Sequence, residues 1–192
     1  MGIVIKLTIP FFIGVLKMID GLNILVIGKR KYGKSVYTDG FVLNNIDYFK
    51  KVYIFDKVGE HEFLTEKNDK IELFDCRNFV RDLEKIWRKC ESDFPDTKDV
   101  PILILIDEFD NFTTKSQKKL LKEILNYGRK YGVYLLGVVR RPVNLEKDLL
   151  VLADEVIVFK MSHNDDIRHM GFKEFESQIK DLEVFQYLSI DI

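Results

Sequence analysis

Residues 22–35, LNILVIGKRKYGKS, decide the fold. A mostly apolar run enters Gly28, the pattern G-x-x-x-x-G-K-S closes at Ser35, and a helical period begins there. Strand, glycine-bounded loop and helix in that order make a cradle for phosphate. Gly28 and Gly33 permit a tight turn and close backbone approach, so that successive N–H groups and the helix N-terminus surround an oligophosphate. The expected nucleotide contacts are Gly28, Lys29, Arg30, Lys31, Tyr32, Gly33, Lys34, Ser35 and Val36. Lys34 would reach the β and γ oxygens of ATP, and the Ser35 hydroxyl would take one position on Mg²⁺.

The acidic partner of that loop is ILILIDEFD, residues 102–110. Five apolar residues read as a fully buried strand, which delivers Asp107 and Glu108 to the sheet edge where ligands bind. Asp-Glu after a strand is by itself often a solvated turn; beside a phosphate loop it reads as chemistry. Asp107 is expected to hold Mg²⁺ through water, and Glu108 to polarise an attacking water as a base. The glutamate favours water as the nucleophile, because a nucleotide kinase has no need of it.

Outward from these two stretches, short β-rich runs alternate with helical periods, the pattern of an α/β fold with a mostly parallel sheet flanked by helices. Strands are expected at 22–27, 52–55, 71–74, 102–106, 133–139, 156–159 and 184–190. Phe79, Val80, Leu83, Ile86, Trp87 and Cys90 recur at helical spacing, as do Leu120, Leu121, Ile124, Leu125 and Tyr131, and both stripes read as core. No repeat or low-complexity linker interrupts the chain, so residues 18–192 read as one domain. The polar stretch 91–101 is a connection.

Residues 1–17 stand apart as an N-terminal extension. Lys6, Pro10 and Lys17 leave an uncharged run too short for the roughly 20 residues of a membrane span. Two readings stay open: a tether or extra strand, or an upstream extension before a true start at Met18.

The chain has 192 residues, 30 Lys+Arg against 31 Asp+Glu, a formal charge of −1 and 46% hydrophobic residues. That balance excludes disorder and an overall basic nucleic-acid footprint, leaving local patches. Cys76 and Cys90 form no CxxC pair, which argues against a disulfide framework or zinc site and for a reducing compartment. His61, His163 and His169 share no metal-ligand spacing, and the sequence gives them no role.

Further motifs carry a resemblance. Asp56-Lys-Val-Gly-Glu60 follows a strand, another strand ends in Asp107-Glu108, Arg129-x-x-Gly132 follows a helical stretch, and a strand runs into Arg141-Pro142. This set resembles the HerA/FtsK group of DNA-pumping ATPases over about residues 20–192, and the short layout is similar to viral genome-packaging ATPases. The resemblance implies a RecA-like (ASCE) P-loop NTPase that hydrolyses ATP with Mg²⁺ between subunits of a homo-oligomeric ring, usually a hexamer. It also implies translocation of double-stranded DNA, a capsid or portal protein as partner, and a location in the host cytoplasm or with the virion. The group usually has Gln, thought to sense the γ-phosphate, where this chain has Arg140.

In a parallel sheet Arg129 falls at the edge opposite its own phosphate loop, so it is expected to act on a neighbour's ATP as a trans arginine finger, or simply to complement a helix C-terminus. Arg140 falls on the same edge as Lys34 and Asp107 and is expected in cis; Arg141 is left as structural or a ring contact. Lys115, Lys118 and Lys119 are candidates for DNA phosphates or merely solvated. Two alternatives remain: a P-loop ATPase for protein export or phage assembly, similar to Zot-type proteins, and a nucleotide-binding scaffold that barely hydrolyses ATP.

Overall fold

The computed structural model describes residues 22–93, 101–112 and 114–191. The two readings of residues 1–17 lie outside the described residues, as does most of the 91–101 connection.

Strands β1 (Asn23–Ile27), β2 (Lys51–Phe55), β3 (Ile71–Phe74), β4 (Ile102–Ile106), β5 (Val133–Val139), β6 (Glu155–Phe159) and β7 (Tyr187–Asp191) form one seven-stranded sheet in the order β3-β2-β4-β5-β1-β6-β7. All neighbours are parallel except β7, which pairs antiparallel with β6. Strands β1, β4, β5 and β6 are buried along their whole length. Unbroken apolar runs are what a sheet covered on both faces requires.

Alternation along β1 feeds two cores. Ile24 and Val26 pack under helix α1 (Lys34–Asn45) with Tyr37, Phe41 and Val42. Leu25 and Ile27 face the larger core, filled by Leu83, Ile86 and Trp87 of α3 (Phe79–Asp93) and by Leu121 and Ile124 of α4 (Lys115–Tyr127). Trp87 is fully buried, and its indole N–H donates to Glu123 at 3.0 Å. Helix α4 starts in a capping box: the Thr114 hydroxyl accepts from the Gln117 N–H, and the Gln117 side chain accepts from the Thr114 N–H. The short helices α2 (Glu62–Thr65), α5 (Lys147–Val151), α6 (Asn164–His169) and α7 (Glu176–Asp181) complete the layers.

The expected strand at 184–190 begins only at Tyr187. Residues before it turn back: Phe185 has φ +67°, and its N–H donates to the Tyr32 carbonyl at 3.0 Å. An apolar Val-Phe pair reads as strand by composition, whereas here it latches the last turn onto the phosphate loop.

The site depends on one crossover. β5 lies between β1 and β4, so the phosphate-loop strand and the acidic strand are one strand apart and both end at the same sheet edge. Gly137 of β5 makes room there, since a Cβ at that position would come within 2.9 Å of Leu25 and 3.1 Å of Phe109. The Phe109 ring, fully buried against that gap, anchors the turn that carries Glu108 and Asp110.

Candidate nucleotide site

The loop 28–33 is held in a shape few side chains tolerate. Gly33 has φ +107°, and a Cβ there would lie 2.6 Å from the Phe185 ring; one on Gly28 would lie 2.7 Å from Phe159 Cβ. The Gly28 N–H donates to Val139 and the Lys29 N–H to Lys160, which ties the loop to the ends of β5 and β6. Lys34, only 6% exposed, points back into the loop and donates from Nζ to the Lys29 carbonyl at 3.0 Å. Burial, helped by the nearby Arg140 charge, lowers its pKa to about 8. Arg30, Lys31, Val36 and Ser35 line a cavity of about 530 Å³ together with Gly33 and Lys34.

The carboxylates come from the end of β4. The Asp107 N–H donates to Phe55 at 2.9 Å, continuing the sheet register, and its carboxylate is buried with no hydrogen-bond partner at Oδ2. Burial raises its pKa, opposed by His61, by the Glu108 N–H and by Arg140. Glu108 has φ +52°, an uncommon conformation for a residue with a side chain. Asn111 donates to its Oε2 at 2.5 Å, Arg140 forms a close ion pair with Oε1, and Arg30 approaches to 4.0 Å. Glu108 is therefore held by an arginine.

Arg140 lies where its strand position suggested, with Nη2 3.6 Å from Glu60 and 4.0 Å from Asp107 Oδ2. The buried Asp110 carboxylate fixes the chain at that point, accepting from the Arg140 N–H at 3.0 Å and the Arg141 N–H at 3.2 Å. Arg141 turns away, donating from Nε to Asp166 at 2.9 Å, and so has a structural partner. Its φ of −130° and ψ of 88° are extended, as a residue before proline requires. Beyond the Arg140–Glu108 pair lies a second cavity of about 570 Å³, into which Lys29, Arg30 and His163 face.

Several site residues were given no role by the sequence. Asp56 directly follows β2 and accepts from the N–H groups of Val58, Gly59 and His61, winding the 56–61 loop into a knot. That knot presents Glu60 to Ser35, whose hydroxyl donates to Oε2 at 2.8 Å. It also buries His61, which the histidine spacing left unassigned. The D-x-x-G-E motif was the available signal for Glu60; nothing in the sequence marked His61, Asp110 or Asn111.

Other expected residues lie elsewhere. Arg129 sits in the turn Gly128–Tyr131 after α4, at the opposite sheet edge, and its Nη2 lies 2.6 Å from Asp154. The other Asp154 oxygen accepts from the N–H of Asn23, the first residue of β1. Lys118 pairs with Glu146 at 2.9 Å, while Lys115 and Lys119 are exposed. His169 lies 2.8 Å from the Leu145 carbonyl oxygen. Cys90 is buried in the α3 stripe. Among the described residues no helix is long and apolar enough to cross a membrane.

A parallel sheet with this crossover, a glycine-bounded phosphate loop at the end of β1 and a carboxylate pair at the end of β4 define the RecA-like P-loop NTPase fold. Solved structures share it. The DNA-packaging ATPase B204 from Sulfolobus turreted icosahedral virus superposes with TM-score 0.74 at 18% identity, covering 91% of this chain and 94% of that one. The genome-packaging NTPase B204 from Sulfolobus turreted icosahedral virus 2, in complex with AMPPCP, gives 0.69 at 21% identity over 90% and 93%. The conjugation coupling protein TcpA of pCW3, with ATPγS, gives 0.63 at 18% identity over 90% of this chain and 58% of that one. No protein-family model matches the chain, and no curated protein does.

Proposed function

We propose that this chain is a Mg²⁺-dependent ATPase whose homo-oligomeric ring drives double-stranded DNA, in the manner of a genome-packaging motor. The observation that carries the reading is that Asp107, whose buried Oδ2 has no hydrogen-bond partner, lines the same cavity as Lys34 and Ser35. An acceptor-only carboxylate oxygen beside a hydroxyl is a donor set suited to a hard divalent cation. Ser35 and Asp107 would hold Mg²⁺, which when bound supplies neutralisation of phosphate charge. Protonated Lys34 binds the β and γ oxygens. Glu108, once parted from Arg140, accepts the proton of the attacking water, and Arg140 turns to the γ-phosphate in cis.

Arg129 is the trans finger of this reading. Each residue of β1 adds roughly 3.3 Å, so its five residues separate the Arg129 edge from the phosphate loop by about 16 Å. Only a neighbouring subunit's ATP is within reach. The packaging and coupling proteins that share the fold support a DNA substrate, and by the same resemblance a portal or capsid partner in the host cytoplasm or virion.

The test is ATP turnover with and without duplex DNA. Turnover is expected to rise with DNA and to vanish in Glu108→Gln while ATP binding persists; absence of DNA stimulation would overturn the translocase reading. The Arg140–Glu108 ion pair favours a second reading, a nucleotide-binding scaffold in which the pair keeps hydrolysis low. That reading predicts that Arg140→Gln raises DNA-independent turnover, whereas a γ-phosphate contact predicts a fall.

A further inference from the structure

One aromatic ring is held over the phosphate loop where it fills neither core. Phe185 is 41% exposed, yet its chain is fixed by three hydrogen bonds. Its own N–H donates to the Tyr32 carbonyl at 3.0 Å, the Gln186 N–H to the Glu183 carbonyl at 3.1 Å, and the Glu183 N–H to Gln186 Oε1 at 2.9 Å. The result is φ +67°, a backbone conformation that a bulky side chain rarely adopts. Strain of this kind persists where its surroundings over-determine it, and it gathers at ligand clamps.

The ring also lines the nucleotide cavity. Three exposed apolar side chains face that space of about 530 Å³: Val36, Val58 and Phe185. Val58 lies in the loop that carries Glu60. Phe185 instead sits against Gly33, where an added Cβ would come within 2.6 Å of its ring, and Val36 follows Ser35 on α1. The charged groups form a separate cluster, with Arg140 3.6 Å from Glu60 and 4.0 Å from Asp107. With its γ-phosphate at Arg140 and Asp107 and its β-phosphate in the loop, a bound triphosphate leads its nucleoside away from that cluster. The exposed apolar surface beside Gly33 and Ser35 is what remains of the lining to receive it. Bases stack on aromatic rings through their faces, a contact that tolerates any base because each has a π-face.

We infer that Phe185 is the platform for the nucleobase: the turn 183–186 fixes its ring over Gly33 so that it stacks on the base, and because a ring offers only a face, adenine and guanine are held alike. The inference rests on the proposal that the loop and Lys34 hold the triphosphate.

The experiment titrates the full chain by calorimetry in EDTA with ATP, GTP and inorganic tripolyphosphate, which carries the phosphates without a base. Wild type is expected to bind ATP and GTP within about threefold of each other and tripolyphosphate more weakly. Binding of none of the three would overturn the phosphate-site reading and the inference with it. Phe185→Leu keeps the latch, which is made by the main chain, and keeps an apolar cover on Gly33, but loses the π-face. It should weaken ATP and GTP about tenfold and leave tripolyphosphate within about twofold. Unchanged nucleotide affinity, or an equal loss for tripolyphosphate, overturns the inference while the phosphate site stands, the second result meaning that the ring only shapes the loop. A wild-type preference of more than about tenfold between ATP and GTP would overturn the claim that the face alone is read. Phe185→Trp gives an independent readout: ATP should quench the fluorescence of the introduced indole and tripolyphosphate should not. No quench at saturating ATP counts against the platform whatever the affinities.

Discussion

ATP binding should lose strength above pH 8 because of one lysine. Burial and the Arg140 charge lower the Lys34 pKa to about 8 in the free protein, against 10.5 for an ordinary lysine. A bound triphosphate requires the ammonium and stabilises it. The dissociation constant should therefore scale as one plus the ratio of neutral to charged Lys34, nearly flat below pH 7 and rising about tenfold between pH 7 and pH 9, or ~1.4 kcal/mol. The terminal phosphate finishes its own ionisation below this window, with a pKa of about 6. Fluorescent ATP-analogue binding in EDTA, from pH 6.5 to 9.5, reads the curve without a metal. Lys34→Arg should abolish the break, since guanidinium stays charged throughout. Arg140→Ala should move it to higher pH by removing the second cause of the depression. A flat wild-type curve to pH 9.5, or the same break in Lys34→Arg, would refute the argument. The stability sign is opposite: the folded protein disfavours this proton, so the cost of burying the charge is present in full below pH 8. It fades as pH rises from about 8 toward 10.5, and Lys34 alone makes the free protein more stable across that interval.

Other perturbations separate structure from chemistry. Arg129→Ala removes an exposed ion pair with Asp154 and should change stability by less than about 1 kcal/mol. The trans-finger proposal predicts that it nonetheless lowers turnover by roughly 10³-fold or more, with partial recovery in rings mixed with Lys34→Ala subunits; no recovery in rings shown to be mixed would sink it. Asp110→Ala strips the shared acceptor from two main-chain N–H groups, which should cost about 2–5 kcal/mol in urea unfolding followed by Trp87 fluorescence. Gly33→Ala forces a Cβ to 2.6 Å from the Phe185 ring at φ +107°, and should cost about 1–3 kcal/mol and weaken ATP binding together. A stability loss there with wild-type affinity would mean that the loop readjusts.

The strands were legible because each is a dense apolar run bounded by turn residues, and ILILI before Asp107 admits no other reading. The phosphate loop was legible because its chemistry permits so few residue types. Phe185 was misread for a physical reason: a strand-forming aromatic sits at φ +67° because its N–H finds the Tyr32 carbonyl and its ring covers Gly33. Asp110 and His61 were invisible for another. Their partners are 30 residues away on the Arg140 N–H and 22 residues away on Asp39, and only the assembled sheet edge brings them together.

The crossover that makes this edge also reconciles a near-zero net charge with the polyanionic ligand of the proposed function. Placing β5 between β1 and β4 gathers Lys34, Arg30 and Arg140 around one cavity and opposes them with Asp107, Glu108 and Glu60. The cluster is nearly balanced before nucleotide arrives, which is why Arg140 rests on Glu108. A triphosphate brings negative charge that competes for Arg140, and the arginine cannot pair fully with both. Binding itself would then loosen the hold on Glu108, so the group that activates water becomes available only when a γ-phosphate is present. On this argument Arg140→Lys, with one flexible point charge in place of a planar fork, should pair less selectively and raise turnover in the absence of DNA. Unchanged basal turnover in Arg140→Lys, with ATP affinity intact, would show that the ion pair does not gate the glutamate.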